Sequence, residues 1–277
     1  MSKAIHDLLN DEKTSTSHGL AGVQGNFPLD EAVLDAMPEG TRILSAEAYG
    51  YSAWTITARV ATVLPDGTLK KYFLKCASED HGKTMMFGEF TSISEIHSLV
   101  PGLVPAPHGW GKYKQGSPGT YFFLEDFIDM DTSAPEPGEF TAKVAELHRR
   151  STSPTGKFGY QVTTCDGKLP HTVEWEESWA KFFSKLLRGV LKLDAEVNGV
   201  WDELEAAAEQ LVTAVIPRLL GILQAGGRVL KPSLIHGDCW EGQSFLSLGF
   251  ESIQLSFPIV ERFPYSIFVL PYTGPFS

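Results

Sequence analysis

The chain has 277 residues, of which 43% are hydrophobic and 21% charged, and its formal net charge is −11. That balance fits a folded protein with a large core and one or two domains, and excludes a disordered polymer. The acidic total offers no global positive field to a nucleic-acid backbone, and three scattered cysteines, Cys76, Cys165 and Cys239, exclude a disulfide framework and a zinc site.

Residues 1–25 are polar and read as a flexible N-terminus, without an apolar run of signal-peptide length. No segment reads as the run of about 20 apolar residues that a membrane span needs. A cytoplasmic protein with reduced cysteines and no membrane partner is expected.

The residues from 26 onward open with a short helix over 29–37, broken by Pro38-Glu39-Gly40. Residues 54–63 are β-branched and partly alternating, and residues 69–77 form a second strand. Pro65-Asp66-Gly67 between them signals a hairpin turn. Met86, Phe90, Ile93, Ile96 and Leu99 keep helical spacing over 85–99, and Pro101-Gly102 ends that helix. A further apolar strand covers 121–124. The run 133–138, with Pro135, Pro137 and Gly138, is a rigid connector between a strand-rich domain (26–132) and a helical one (133–243). Helices are expected over 140–150, 174–193 and 200–224, the last kinked at Pro217 and stopped by Gly226-Gly227. Residues 244–277 form an atypical apolar tail, whose only charged residues are Glu251, Glu261 and Arg262. Its abrupt loss of charge is expected of a retained intron, an alternative splice or a frame error.

The chemistry concentrates at Leu234-Ile235-His236-Gly237-Asp238, with an amide five residues on at Gln243. Phosphotransferases of the kinase type use this spacing: the aspartate accepts a hydroxyl proton and the amide helps to hold magnesium. An Asx-turn capping a helix is the competing reading of the same tripeptide. Trp240 can stack on a sugar ring or pack in a core, and with His236 it is the substrate-side candidate. Lys75 lies in an apolar strand, where an unpaired ammonium is costly, so a carboxylate partner is expected at Glu89 on the next helix. A strand-edge lysine in water is the alternative. Gly50 and Ser52 stand where a phosphate loop would precede that strand, although a plain hairpin turn explains them as well. Leu124, Glu125, Asp126 and Phe127 end an apolar strand. Their place between the two domains suits a hinge whose backbone pairs with adenine; an ordinary core strand with a solvated end is equally consistent.

Taken together these residues resemble the fructosamine (ketosamine) 3-kinase family, over roughly residues 26–243. The resemblance rests on Phe73-Leu74-Lys75, Met86-Phe87-Gly88-Glu89, the segment 122–130, Leu147-His148 and Phe158-Gly159-Tyr160. It extends to Cys165-Asp166-Gly167-Lys168-Leu169-Pro170, Trp175, Trp179 and the run 234–242. It implies an α+β, two-lobed protein-kinase-like fold, with a strand-rich N-lobe and a helical C-lobe that is truncated or altered here. It also implies ATP and Mg2+ as cofactors, and a ketosamine, free or on a glycated protein, as acceptor. Asp238 would be the catalytic base, Lys75 a phosphate contact held by Glu89, and Gln243 a metal ligand. The family motif has Asn where Gln243 stands, and no Asp follows Asp238. Weak or absent activity is therefore expected, with a pseudokinase or a small-molecule (aminoglycoside- or choline-like) kinase as alternatives.

Overall fold

The computed structural model describes residues 20, 22–116, 118–129, 136–237, 244–246, 253–255 and 269–272. The chain divides into two compact units, Met1–Phe140 with Cys239–Phe263, and Thr141–Asp238 with Pro264–Ser277.

The first unit begins with helix α1 (Glu31–Asp35) and strands β1 (Arg42–Ala48), β2 (Ile56–Val63) and β3 (Leu69–Ser78). Helix α2 (Glu79–Leu99) and strands β4 (Pro107–Lys112) and β5 (Thr120–Asp126) follow. The strands make one antiparallel sheet in the order β1-β2-β3-β5-β4. Side chains alternate across it, as strand geometry requires. Tyr72, Leu74, Cys76, Phe122 and Leu124 point to one core with Ala58, Val60, Val33 and Phe27. Lys75 and Phe123 point to the other face, toward α2, where Phe123 meets Phe90. Asp30 caps α1 by accepting from the Ala32 amide, and its carboxylate also takes the amides of Lys114 and Gln115. One buried side chain thus ties α1 to the loop after β4.

Helix α2 starts six residues earlier than the periodicity indicates. Its first turn is acidic and polar, so no apolar stripe announces it, and the Glu79 amide is bonded to the Gly119 carbonyl at 2.9 Å. The 65–67 turn forms as expected: the Asp66 carboxylate accepts the Thr68 amide, and Leu64 bonds to Thr68 across it.

The second unit is mostly helical. Helix α3 (Pro137–Arg150) leads in, and two short strands, β6 (Cys165–Asp166) and β7 (Leu169–Pro170), form a hairpin. Helix α4 (Trp179–Asn198) begins five residues later than its aromatic content suggests, because Ser178 caps it by accepting from the Lys181 amide; Gly199 follows its end. Residues 202–224 are not one kinked helix. They run as α5 (Asp202–Gln210), a π-helical turn (Leu211–Val215), α6 (Ile216–Leu219) and a 3-10 turn (Gly221–Gln224). Pro217 sits in the first turn of α6, where its missing N–H is tolerated, and the wider π turn precedes it. By length and composition alone Asp202–Gln224 meets the minimum for crossing a membrane, but its charged residues, alanines and Pro217 leave no unbroken apolar run of that length, as the sequence reading has it. Phe158, Trp179, Phe182, Leu186 and Leu230 form this unit's core.

Strand β8 (Lys231–Leu234) closes the unit, paired with β11 (Val269–Tyr272) from the apolar tail. Two more tail strands, β9 (Ser244–Leu246) and β10 (Ile253–Leu255), pair with each other.

Candidate active site

Lys75 lies in β3 between Leu74 and Cys76, both fully buried. Its own side chain is only 5% exposed, so its ammonium must be compensated locally. Glu89, on α2, supplies one partner, with Oε1 2.5 Å from the Lys75 Nζ. Glu125 supplies a second, with Oε1 at 3.4 Å and a side chain 2% exposed. The rings of Phe73 and Phe123 stand 5.6 and 5.7 Å from the same nitrogen. The amine is thereby fixed by two carboxylates and two aromatic faces, all in the first unit.

The second partner was missed in the sequence, where Glu125 reads as a backbone contact. Lys75 is opposite Phe123 in the sheet, and Glu125, two residues on from Phe123, shares its face. Burial, ahead of the pull of Lys75, raises the Glu125 carboxyl from 4.5 to about 7, and the neighbouring Glu89 charge adds to the rise.

Gly50 and Ser52 lie in the loop between β1 and β2. Gly50 takes a left-handed φ of 80°. The Ser52 hydroxyl accepts from the amides of Trp54 and Thr55 and from the Thr55 hydroxyl. These bonds shape a tight turn whose exposed residues include Tyr51 and Trp54. Tyr49, just before it, packs edge-on against Phe127 at 5.0 Å and Phe73 at 6.3 Å. Arg59 covers the rings of Tyr49 and Phe127 and pairs with Glu47. Tyr49 and Arg59 were not singled out in the sequence, and Phe73 only as part of the motif around Lys75. The one available signal was an aromatic beside the loop glycine.

The backbone of the proposed hinge is already committed. Leu124 pairs with Leu74 on one side and Gly109 on the other, and its side chain lies in the core away from Lys75. The Asp126 amide bonds to the Ala106 carbonyl and the Phe127 amide to the Lys71 carbonyl. β5 is an interior strand, so its neighbours take these amides, and a base would have to find a backbone N–H donor beyond Phe127. The Asp126 side chain is held by Lys70 at 2.9 Å and His108 at 2.6 Å. Burial pushes its carboxyl up, but these two bonds outweigh that and bring it below its usual value.

In the second unit, β8 leads into His236, which is 3% exposed, and Gly237, at φ 90°. The Leu234 amide bonds to the Ser151 hydroxyl, and the Lys231 ammonium to the carbonyls of His148 and Arg149 at the end of α3. Burial, then the Lys231 charge, lowers the His148 imidazole. These bonds fix the entry to the His236-Gly237 turn. Asp238, Cys239, Trp240 and Gln243 lie outside the described residues. Magnesium needs oxygen ligands in near-octahedral array, and among the described residues no three His, Cys, Asp or Glu side chains are placed to hold a metal. Cys76 is buried, with its thiol pushed up to about 12, which leaves it no thiolate character.

The same architecture occurs in solved structures of other proteins. A putative fructosamine-3-kinase from Haemophilus somnus 129PT superposes with a TM-score of 0.60 at 19% identity, over 83% of this chain and 70% of that one. A second, from Thermobifida fusca YX-ER1, also gives 0.60 at 19% identity, over 79% and 69%. The fold is that of protein-kinase-like phosphotransferases, α+β with an antiparallel sheet in its N-terminal unit. The family model for fructosamine kinase matches residues 56–251, and the chain belongs to that family. It is 28% identical over 172 residues to the chloroplastic protein-ribulosamine 3-kinase of Arabidopsis thaliana, covering 62% of this chain and 49% of that protein. It is 24% identical over 196 residues to the ketosamine-3-kinase of Mus musculus, covering 62% and 60%. The chain spans about half the length of the first of these relatives and three-fifths of the second.

Proposed function

We propose that this chain is an ATP-dependent phosphotransferase acting on the 3-hydroxyl of a ketosamine, a ribulosamine or fructosamine either free or on a glycated protein. The observation that carries the reading is the buried Lys75–Glu89 pair, an ammonium fixed at 2.5 Å from its carboxylate inside a family that phosphorylates such adducts. ATP supplies the phosphoryl group. Lys75 holds its phosphates by charge, and the turn at Gly50 and Ser52 follows Tyr49, whose ring packs on Phe73 of β3. Asp238 takes the proton of the acceptor hydroxyl, and His236 and Trp240 line the acceptor side. The acceptor class is supported by the names of the plant and mouse relatives. A cytoplasmic site of action belongs to the same reading, supported by the small number of cysteines, three in all.

A nucleotide-binding pseudokinase is the second reading, favoured by Gln243 in place of the family's Asn. One experiment separates the two. The purified chain is assayed for magnesium- and ATP-dependent phosphorylation of ribulose-lysine and fructose-lysine, with Asp238→Asn as control. Turnover that the variant abolishes supports the kinase. Nucleotide binding without turnover supports the pseudokinase, and a folded chain that does neither overturns both.

A further inference from the structure

Lys75 stands between two carboxylates where the phosphate-binding reading needs only one. Glu89 Oε1 lies 2.5 Å and Glu125 Oε1 3.4 Å from its Nζ. Among the described residues, one positive and two negative groups, all nearly excluded from water, leave an uncompensated charge if both acids ionise. Glu125 Oε2 is buried and has no hydrogen-bond partner among the described residues. A carboxylate would have to leave that oxygen charged and dry, whereas a carboxylic acid places its proton there.

We infer that Glu125 is a positioning residue that takes up one proton when nucleotide phosphate reaches Lys75, so that the acid, rather than the carboxylate, flanks the occupied site. The inference rests on the nucleotide reading of this site. The proton comes from solvent and goes to the Glu125 carboxylate; no bond of the nucleotide breaks. The anionic phosphate draws on the ammonium that stabilises ionised Glu125 and adds negative potential of its own, so both effects favour the acid. The groups facing Glu125 are Lys75 from β3, Glu89 from α2 and Asp126 on its own strand. β4 places Pro107 opposite it, and the β4 histidine, His108, turns instead to Asp126 and Tyr72. Before ligand arrives Glu125 titrates near neutrality, at about 7, so the uptake falls in an accessible range.

The test is titration calorimetry of the full chain with magnesium–ADP at about pH 8, where the nucleotide phosphates carry no titrating proton of their own. Phosphate and Tris buffers are compared, because their different ionisation enthalpies report proton movement. The expected result is a buffer-dependent enthalpy corresponding to net uptake of a fraction of one proton, absent with adenosine, which brings no phosphate. Glu125→Gln is expected to bind ADP with no buffer dependence. Its affinity should stay flat with pH, while that of the natural chain falls by up to roughly tenfold per pH unit above neutrality. ADP binding without proton uptake by the natural chain overturns the inference alone, as does uptake retained in Glu125→Gln. No binding of ADP overturns the nucleotide reading and the inference with it. The comparison of ADP with adenosine needs no variant to fold.

Discussion

The Ser151 hydroxyl accepts the amide of Leu234 at 2.9 Å, across 83 residues of chain. Ser151 also reaches the His148 carbonyl and is 1% exposed, so both of its bonds are shielded from water. Ser151→Ala leaves a buried amide without its acceptor. The expected cost is about 1–3 kcal/mol of stability, read as a lower urea midpoint with an unchanged slope. Because Leu234 precedes His236 by two residues, turnover should fall further than the stability loss alone would give.

Glu125 sets a pH dependence of opposite sign to that of an ordinary paired acid. Its carboxyl is raised from 4.5 to about 7 by burial, so between these values the unfolded chain has lost a proton that the fold still holds. Stability is therefore full below the lower value, falls as pH rises through this range, and is level above it. Glu125→Gln removes the fall. Its stability relative to the natural chain should improve by up to roughly 3 kcal/mol on going from acid to slightly alkaline solution. Chemical denaturation at a series of pH values reads this directly, and parallel curves for the two proteins would contradict it.

His171 behaves in the reverse sense. Burial lowers its imidazole from 6.5 to about 4, and its Nδ1 lies 3.0 Å from the Thr164 hydroxyl. The fold keeps it neutral while the unfolded chain protonates, so stability is lost as pH falls from 6.5 toward 4 and is level below that. His171→Gln should flatten this acid limb, which amounts to roughly 3 kcal/mol at full extent. Denaturation curves that keep the same acid limb in the variant would refute the assignment.

Gly237 is held at φ 90°, a conformation that costs an L side chain about 1–2 kcal/mol. Gly237→Ala is expected to lose about that much stability. Because the residue leads directly into Asp238, it should lower phosphotransfer more than it lowers nucleotide affinity. Equal losses in both would mean that the turn matters only for folding.

The Lys75–Glu89 contact was legible because a charge placed in an apolar strand demands a partner, and the next helix offered Glu89. Glu125 was not legible. Which of two adjacent acids at the end of β5 faces the lysine depends on its register with β3, and that pairing is non-local. The amides of the hinge segment were not legible for the same reason: sequence shows an apolar strand, while only the sheet order shows that its amides are taken on both sides. The hairpin at 64–68 was read correctly, since Pro65, Asp66 and Gly67 carry the turn chemistry themselves. The start of α4 was misplaced because Trp175 continues the aromatic pattern past the serine that caps the helix. The π turn at Leu211–Val215 leaves no mark in hydrophobic periodicity of that length.

Gln224 joins the two ends of the helical excursion in the second unit. Its side-chain oxygen accepts the Trp179 amide at 2.8 Å, and its nitrogen bonds to the Glu177 carbonyl at 3.0 Å. The chain thus leaves and returns at one stapled point before going on to β8. Whatever is lengthened or trimmed between those ends is topologically silent for the strand and turn that follow. A lineage could change the length of chain between those ends, provided that it keeps the staple and the core residues Phe182 and Leu186.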